Sequence, residues 1–225
     1  MSDLTELNLF QYIVTGAILF SAVIGMLMMF KKKVPMYFTL HVCGVWCYAI
    51  GLIYVILMIV CGETYIETRS LDPLAAGGMF TFFASANYGT FNSLIDDKGK
   101  KNTVIRVISL IAALIMAAVT VLELIFTEGF TAGNIFLISI EKLPLPFCVY
   151  FCVKFLLIKS EGDNILRSVK PLNLCTLMIC IGLQLYDFFM ILGNDTAMNI
   201  VFCIYAACII AEVFLADWGR KRWLS

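Results

Sequence analysis

Seven long apolar runs separated by short polar connections decide what this chain can become. They fall at 9–30, 34–61, 71–95, 104–126, 135–158, 172–192 and 197–218. At 1.5 Å per residue, about 20 apolar residues in a helix cross a hydrocarbon core of about 30 Å, and each run is long enough or nearly so. Water is absent at that depth, so the backbone of each run has to close its own hydrogen bonds as a helix. A hydrophobic content of 61% with 14% charged residues lies far from the soluble range. The expected fold class is an all-α integral membrane protein with seven transmembrane helices, a single domain over 1–225 with no sizeable soluble part.

Charge placement orients the bundle, because lysine and arginine are retained on the cytoplasmic side. Lys31, Lys32 and Lys33 follow the first run, and Lys98, Lys100, Lys101 and Arg106 surround the junction after the third. Lys154, Lys159, Arg167 and Lys170 follow the fifth, and Arg220, Lys221 and Arg222 close the tail. Fourteen of the sixteen basic residues thus share one side, leaving Arg69 and Lys142 opposite. The N-terminus is expected outside and the C-terminus in the cytoplasm of a multi-pass protein of the cell membrane. Residues 1–8 are acidic where a cleavable signal needs basic residues. Outer connections carry Glu63, Glu67, Glu128 and Asp195, and the sequon at Asn194 lies too close to the membrane to carry weight.

Against this apolar background one stretch stands out: Ile138-Ser139-Ile140-Glu141-Lys142-Leu143-Pro144-Leu145-Pro146-Phe147. Charges at membrane depth are expensive, and prolines free backbone groups that need other partners, so the stretch is a candidate functional site. Two readings compete. A helix starting near Ile135 puts Glu141 roughly 9 Å below the outer boundary, with the prolines breaking the helix. A helix starting at Pro144 uses the favoured first-turn position but is short for a span. Neighbouring residues point about 100° apart, so Glu141 and Lys142 need different partners. Asp187, in Gln184-Leu185-Tyr186-Asp187, lies at matching depth, as does Glu123. The expected substrate- or ion-binding set is therefore Glu141, Lys142, Asp187, Gln184 and Tyr186, with a Lys142–Asp187 pair at its heart; a purely structural ion pair is the competing reading.

A second polar layer sits toward the cytoplasm: His41, Asn87, Tyr88, Asn92 and Glu212. Histidine titrates near neutral pH, which makes His41, Asn87 and Glu212 candidates for gating or a proton relay, with a hydrogen-bonded packing histidine as the plainer alternative. Ala75, Gly78, Ala86 and Gly89 give the third run a face of small residues, marking it as a central helix.

Other chemistries fall away. One histidine and no paired CxxC leave no metal site, and the nine cysteines lie mostly inside apolar runs as packed thiols. The seventh run has no lysine for retinal, and neither a phosphate loop nor a nucleic-acid module is present. No cofactor is expected. The expected partners are the lipid bilayer and a small molecule or ion, with a homo-oligomer or cytoplasmic signalling partner left open and nucleic acid excluded.

An odd count of seven permits a 3+1+3 parallel pseudo-repeat. Ile50-Gly51-Leu52-Ile53-Tyr54 in the second run is echoed by Ile181-Gly182-Leu183-Gln184-Leu185-Tyr186 in the sixth, and both helices enter from a basic connection followed by proline, Pro35 and Pro171. In length and helix count alone, the chain resembles the seven-helix sugar and nicotinamide-riboside transporters; no residue carries over. The leading functional expectation is a small-solute or ion transporter with a polar site between helices. A seven-helix sensor or receptor is the first alternative and a lipid-acting membrane enzyme the second, so catalysis is the weaker expectation.

Overall fold

The computed structural model describes residues 9–30, 34–61, 71–91, 100–126, 132–158 and 164–224. All the regular structure among them is helical. The helices are α1 (Leu9–Met29), α2 (Met36–Val60), α3 (Leu71–Ala86), α4 (Lys100–Phe126), α5 (Ala132–Lys142), α6 (Leu145–Leu157), α7 (Asn164–Ile191) and α8 (Asp195–Leu224), and α3 runs on into a π-helical turn at Asn87–Phe91. Six stretches are long and apolar enough to cross a bilayer, counting α5 and α6 together as one, which makes this a multi-pass membrane protein. The end of the bundle where α1 begins and α7 meets α8 is called upper below, and the opposite end lower.

Lipid exposure explains why these sequences carry so little amphipathic pattern. Val107, Leu110, Leu114, Val121 and Ile125 of α4 all lie exposed on the bundle surface. They face lipid rather than water, so a helix can be apolar all round. Specificity comes from close approach of backbones. Gly44, Gly51 and Gly78 let α2 and α3 lie along one another: a Cβ on Gly51 would collide with the Ala75 side chain, one on Gly78 with the Cys47 sulfur, and one on Gly44 would sit 2.8 Å from the Phe83 ring. α7 lies along α8 in the same way, with Gly182 against Tyr205. α1 packs on α8 and α2, while α5 and α6 pack on α3, and α6 also on α4 and α7.

Helix ends differ from the sequence expectation in instructive ways. α7 begins at Asn164, so Pro171 lies inside it rather than ahead of it. Only a short stretch precedes the proline, so its missing N–H removes a bond close to the helix start and the apolar packing beyond it carries the helix. α4 likewise begins at Lys100, before the apolar run, and α8 continues to Leu224, beyond it. The upper turn between α7 and α8 is tight: Gly193 has φ 64°, the Asn194 amide bonds the Phe189 carbonyl at 3.1 Å, and the Gly193 amide bonds Met190 at 3.2 Å. This is a Schellman ending, and Asn194 then caps α8 by accepting from the Ala197 amide at 3.1 Å.

Gly89 departs from the predicted packing face. It is exposed, with open space where a Cβ would stand. Lys154 is not in a basic connection either. It occupies the last turn of α6, is 4% exposed, and its Nζ stands 5.5 Å from the Phe155 ring centre. Lys31, Lys32, Lys33, Glu63, Glu67, Arg69, Asn92, Lys98, Glu128 and Lys159 lie outside the described residues. All nine cysteines are free thiols.

Candidate functional site

The 135–158 run resolves into both readings at once. A helix does start early, and it stops at Lys142; a second starts at Leu145. The cause is local. Pro144 has no N–H to give the Ile140 carbonyl, and Pro146 has none for Lys142. Leu143 still bonds Ser139 at 2.9 Å and Cys148 picks up Pro144 at 3.0 Å, so the break is confined to one turn. Pro144 and Pro146 occupy the opening of α6, where a missing donor is harmless.

Lys142 is thereby left in the last turn of a half-helix, a position favourable to a cation. It is 1% exposed. Its ammonium pairs with Asp187 Oδ2 and lies 3.5 Å from Glu123 Oε2. Gln184 Nε2 donates to the same Glu123 oxygen, and the Thr120 hydroxyl lies 3.5 Å from Gln184 Oε1. Two helices therefore contribute matched pairs three residues apart, Thr120 with Glu123 from α4 and Gln184 with Asp187 from α7, a spacing that places both members on one helix face. A buried lysine is tolerated because carboxylates surround it.

The expected set divides. Lys142, Asp187 and Gln184 meet in this cluster. Glu141 is half-buried beside Lys142, its side chain makes no hydrogen bond or ion pair with another described residue, and its backbone lies against Gly77 of α3. Tyr186 points elsewhere, its ring 5.7 Å from Phe202 of α8. Glu123 was visible in the sequence only as an acid at similar depth, and Thr120 was missed. The signal that finds both is the repeated polar pair at three-residue spacing, once α4 and α7 are known to flank the broken helix.

A second polar layer lies about 16 Å lower along α7, eleven residues from Asp187 to Thr176. There Glu212 of α8, fully buried, has Oε1 2.8 Å from His41 Nδ1 of α2 and 2.5 Å from the Thr176 hydroxyl. The His41 approach has hydrogen-bond distance without hydrogen-bond alignment. His41 stacks on Phe83 at 4.9 Å, and Asn87 follows one turn later at the start of the π turn, its amide 4.0 Å from the Cys152 sulfur. Tyr88, expected in this layer, is exposed and packs its ring against Phe151. Between the layers Phe80, Ile179, Leu183 and Ile209 form a packed apolar core, crossed by the edge-to-face pair Tyr48–Tyr205 at 5.8 Å.

At the lower end Arg220 gives Nε and Nη2 to Asp217 Oδ1 at 2.8 and 2.6 Å, Lys221 takes the other oxygen at 2.9 Å, and Tyr37 donates to the Ala216 carbonyl at 3.3 Å. No group of three or more metal-ligating side chains occurs among the described residues. A scan against family models and searches of curated proteins and of solved structures return no match for the chain.

Proposed function

We propose that the chain is a seven-span small-solute or ion transporter of the cell membrane, with the N-terminus outside and the Lys142 cluster as its solute site. The observation that carries this reading is the broken helix: an interrupted span puts a buried Lys142 between Asp187 and Glu123. Interrupted helices at membrane depth are how transporters present charge and freed backbone carbonyls to a cargo. The layer holds more acidic groups than basic ones, so the cargo that completes it carries positive charge.

Seven spans follow if α3 with its π turn crosses the bilayer; residues 71–91 reach about 30 Å at the helical rise. The 3+1+3 arrangement has support in packing. Gly51 stands to Ala75 as Gly182 stands to Tyr205, and the first span packs on the last as the broken fifth packs on the third. α4 is left as the lone connector at the edge. Alternating access then has two halves to rock and a closed layer on each side of the apolar core.

The test is uptake of small cationic solutes into proteoliposomes. Wild-type protein is expected to accumulate cargo and Asp187→Asn to lose it. Uptake by Asp187→Asn at the wild-type rate would remove Asp187 from the site. Saturable binding without flux would favour the sensor, and turnover of a lipid in detergent would favour the enzyme.

A further inference from the structure

We propose that His41 and Glu212 form a proton-binding site, separate from the Lys142 cluster, that loads and releases one proton. Three helices build it: α2 brings the imidazole, α8 the carboxyl and α7 the Thr176 hydroxyl. Glu212 is 0% and His41 1% exposed, and His41 Nε2 and Glu212 Oε2 are buried with no hydrogen-bond partner among the described residues. Buried polar atoms are almost always partnered, so two orphans on one facing pair mark a place where a mobile species is accommodated.

Proton inventory names the species. The Thr176 hydroxyl has one hydrogen and two acceptors in reach, the Leu172 carbonyl at 3.1 Å and Glu212 Oε1 at 2.5 Å. With the hydrogen on Glu212's side, the carboxylate is ionised and accepts. With the hydrogen turned to Leu172, the short contact to Glu212 is a hydrogen bond only if the carboxyl itself carries the proton. The same heavy atoms therefore serve both states, and loading needs only a hydroxyl rotation. A sodium ion would need several more oxygens than this pair and one threonine supply. The step is proton transfer alone: the proton arrives from water, resides on the His41–Glu212 pair, and returns to water.

Thiols are the main polar neighbours of the pair, and the Cys175 thiol reaches Glu212 itself. α1 brings no charged side chain and α3 only Phe83 and Asn87. Cys148 and Cys152 of α6, Cys175 and Cys180 of α7 and Cys208 of α8 are the nearby thiols. Tyr37 of α2 lies a turn lower, and Asp217 of α8 is engaged by Arg220 and Lys221.

His41 is the sole histidine in the chain, so one nitrogen-labelled imidazole reports on the site without ambiguity. Full-length protein in lipid nanodiscs, labelled with ¹⁵N-histidine, is titrated between about pH 5 and 8. The expected result is an imidazole signal that changes across the titration and whose midpoint is displaced in Glu212→Gln. Thr176→Val, which keeps both titrating groups, is expected to shift the midpoint as well and serves if Glu212→Gln does not fold. An imidazole locked in one form throughout, or a midpoint identical in all variants, overturns the proposal, as does a midpoint that moves with sodium concentration. Coupling of this proton to cargo rests on the transport reading; absence of uptake alongside an intact titration retires that reading and leaves the proton site standing.

Discussion

Gly77 of α3 lies directly against the Ile140 carbonyl that Pro144 leaves without a helical donor. A Cβ on Gly77 would collide with that oxygen and stand 3.1 Å from the carbonyl carbon and 3.2 Å from the Glu141 Cα. Those atoms are backbone and cannot rotate aside. The break in the fifth span and the glycine in the third are thus one feature, a backbone crossing that fixes where Lys142 sits.

Gly77→Ala is therefore expected to destabilise the bundle by about 1–3 kcal/mol, the usual range for overpacking. Gly16→Ala is the control: it is exposed on α1 with nothing near the added methyl, and should be neutral or stabilise by about 0.5–1 kcal/mol. Unfolding followed by circular dichroism in detergent reads both. A Gly77→Ala protein as stable as wild type would mean that α3 and α5 separate freely.

The Lys142 cluster predicts an asymmetry between its partners. Lys142→Met leaves Asp187 and Glu123 buried with no cation, which costs about 3–5 kcal/mol. Asp187→Asn keeps an acceptor beside the ammonium, and Glu123 remains 3.5 Å away, so the loss should be nearer 1–3 kcal/mol. The double variant should recover part of the sum, because contacting residues couple. Equal losses that add without coupling would count against the pairing as a source of stability.

How much of this could be read beforehand follows from what a membrane leaves in a sequence. The apolar runs are legible because a bilayer demands length and hydrophobicity of each span on its own. The meeting of Lys142 with Asp187 is legible by depth, since each needs an opposite charge and depth follows from counting residues. Rotation about the helix axis is not legible in this way. Tyr186 and Gln184 differ by two positions and end on different faces, and with apolar residues on every side of α7 hydropathy does not say which face turns inward. Thr120 and Glu123 were obscured for the same reason, because their relevance depends on α4 lying beside α6 and α7. His41 and Glu212 lie far apart in the chain on α2 and α8, and only the direct packing of these two helices brings them together.

Topology has its own reporter. Cys61 is exposed just beyond α2, and Cys203 is exposed on the flank of α8, about 12 Å below that helix's upper end. With the N-terminus outside, a membrane-impermeant maleimide added to intact cells should label Cys61 and leave Cys203, whose surroundings are acyl chains. Labelling of Cys61 only after permeabilisation would invert the orientation.

The upper α7–α8 turn offers a perturbation remote from both polar layers. Gly193, at φ 64°, adopts a conformation that costs an L-residue about 1–2 kcal/mol, and loss of the Asn194 cap costs about 1 kcal/mol. Gly193→Ala and Asn194→Ala should each lower the unfolding temperature in detergent. Neither should alter the His41 titration, because Gly182 against Tyr205, and Cys175 donating to the Cys208 carbonyl at 3.1 Å, hold the register of the two helices below the turn. A changed His41 midpoint in either variant would show that the turn itself, rather than packing along α7 and α8, sets the position of Glu212 opposite Thr176.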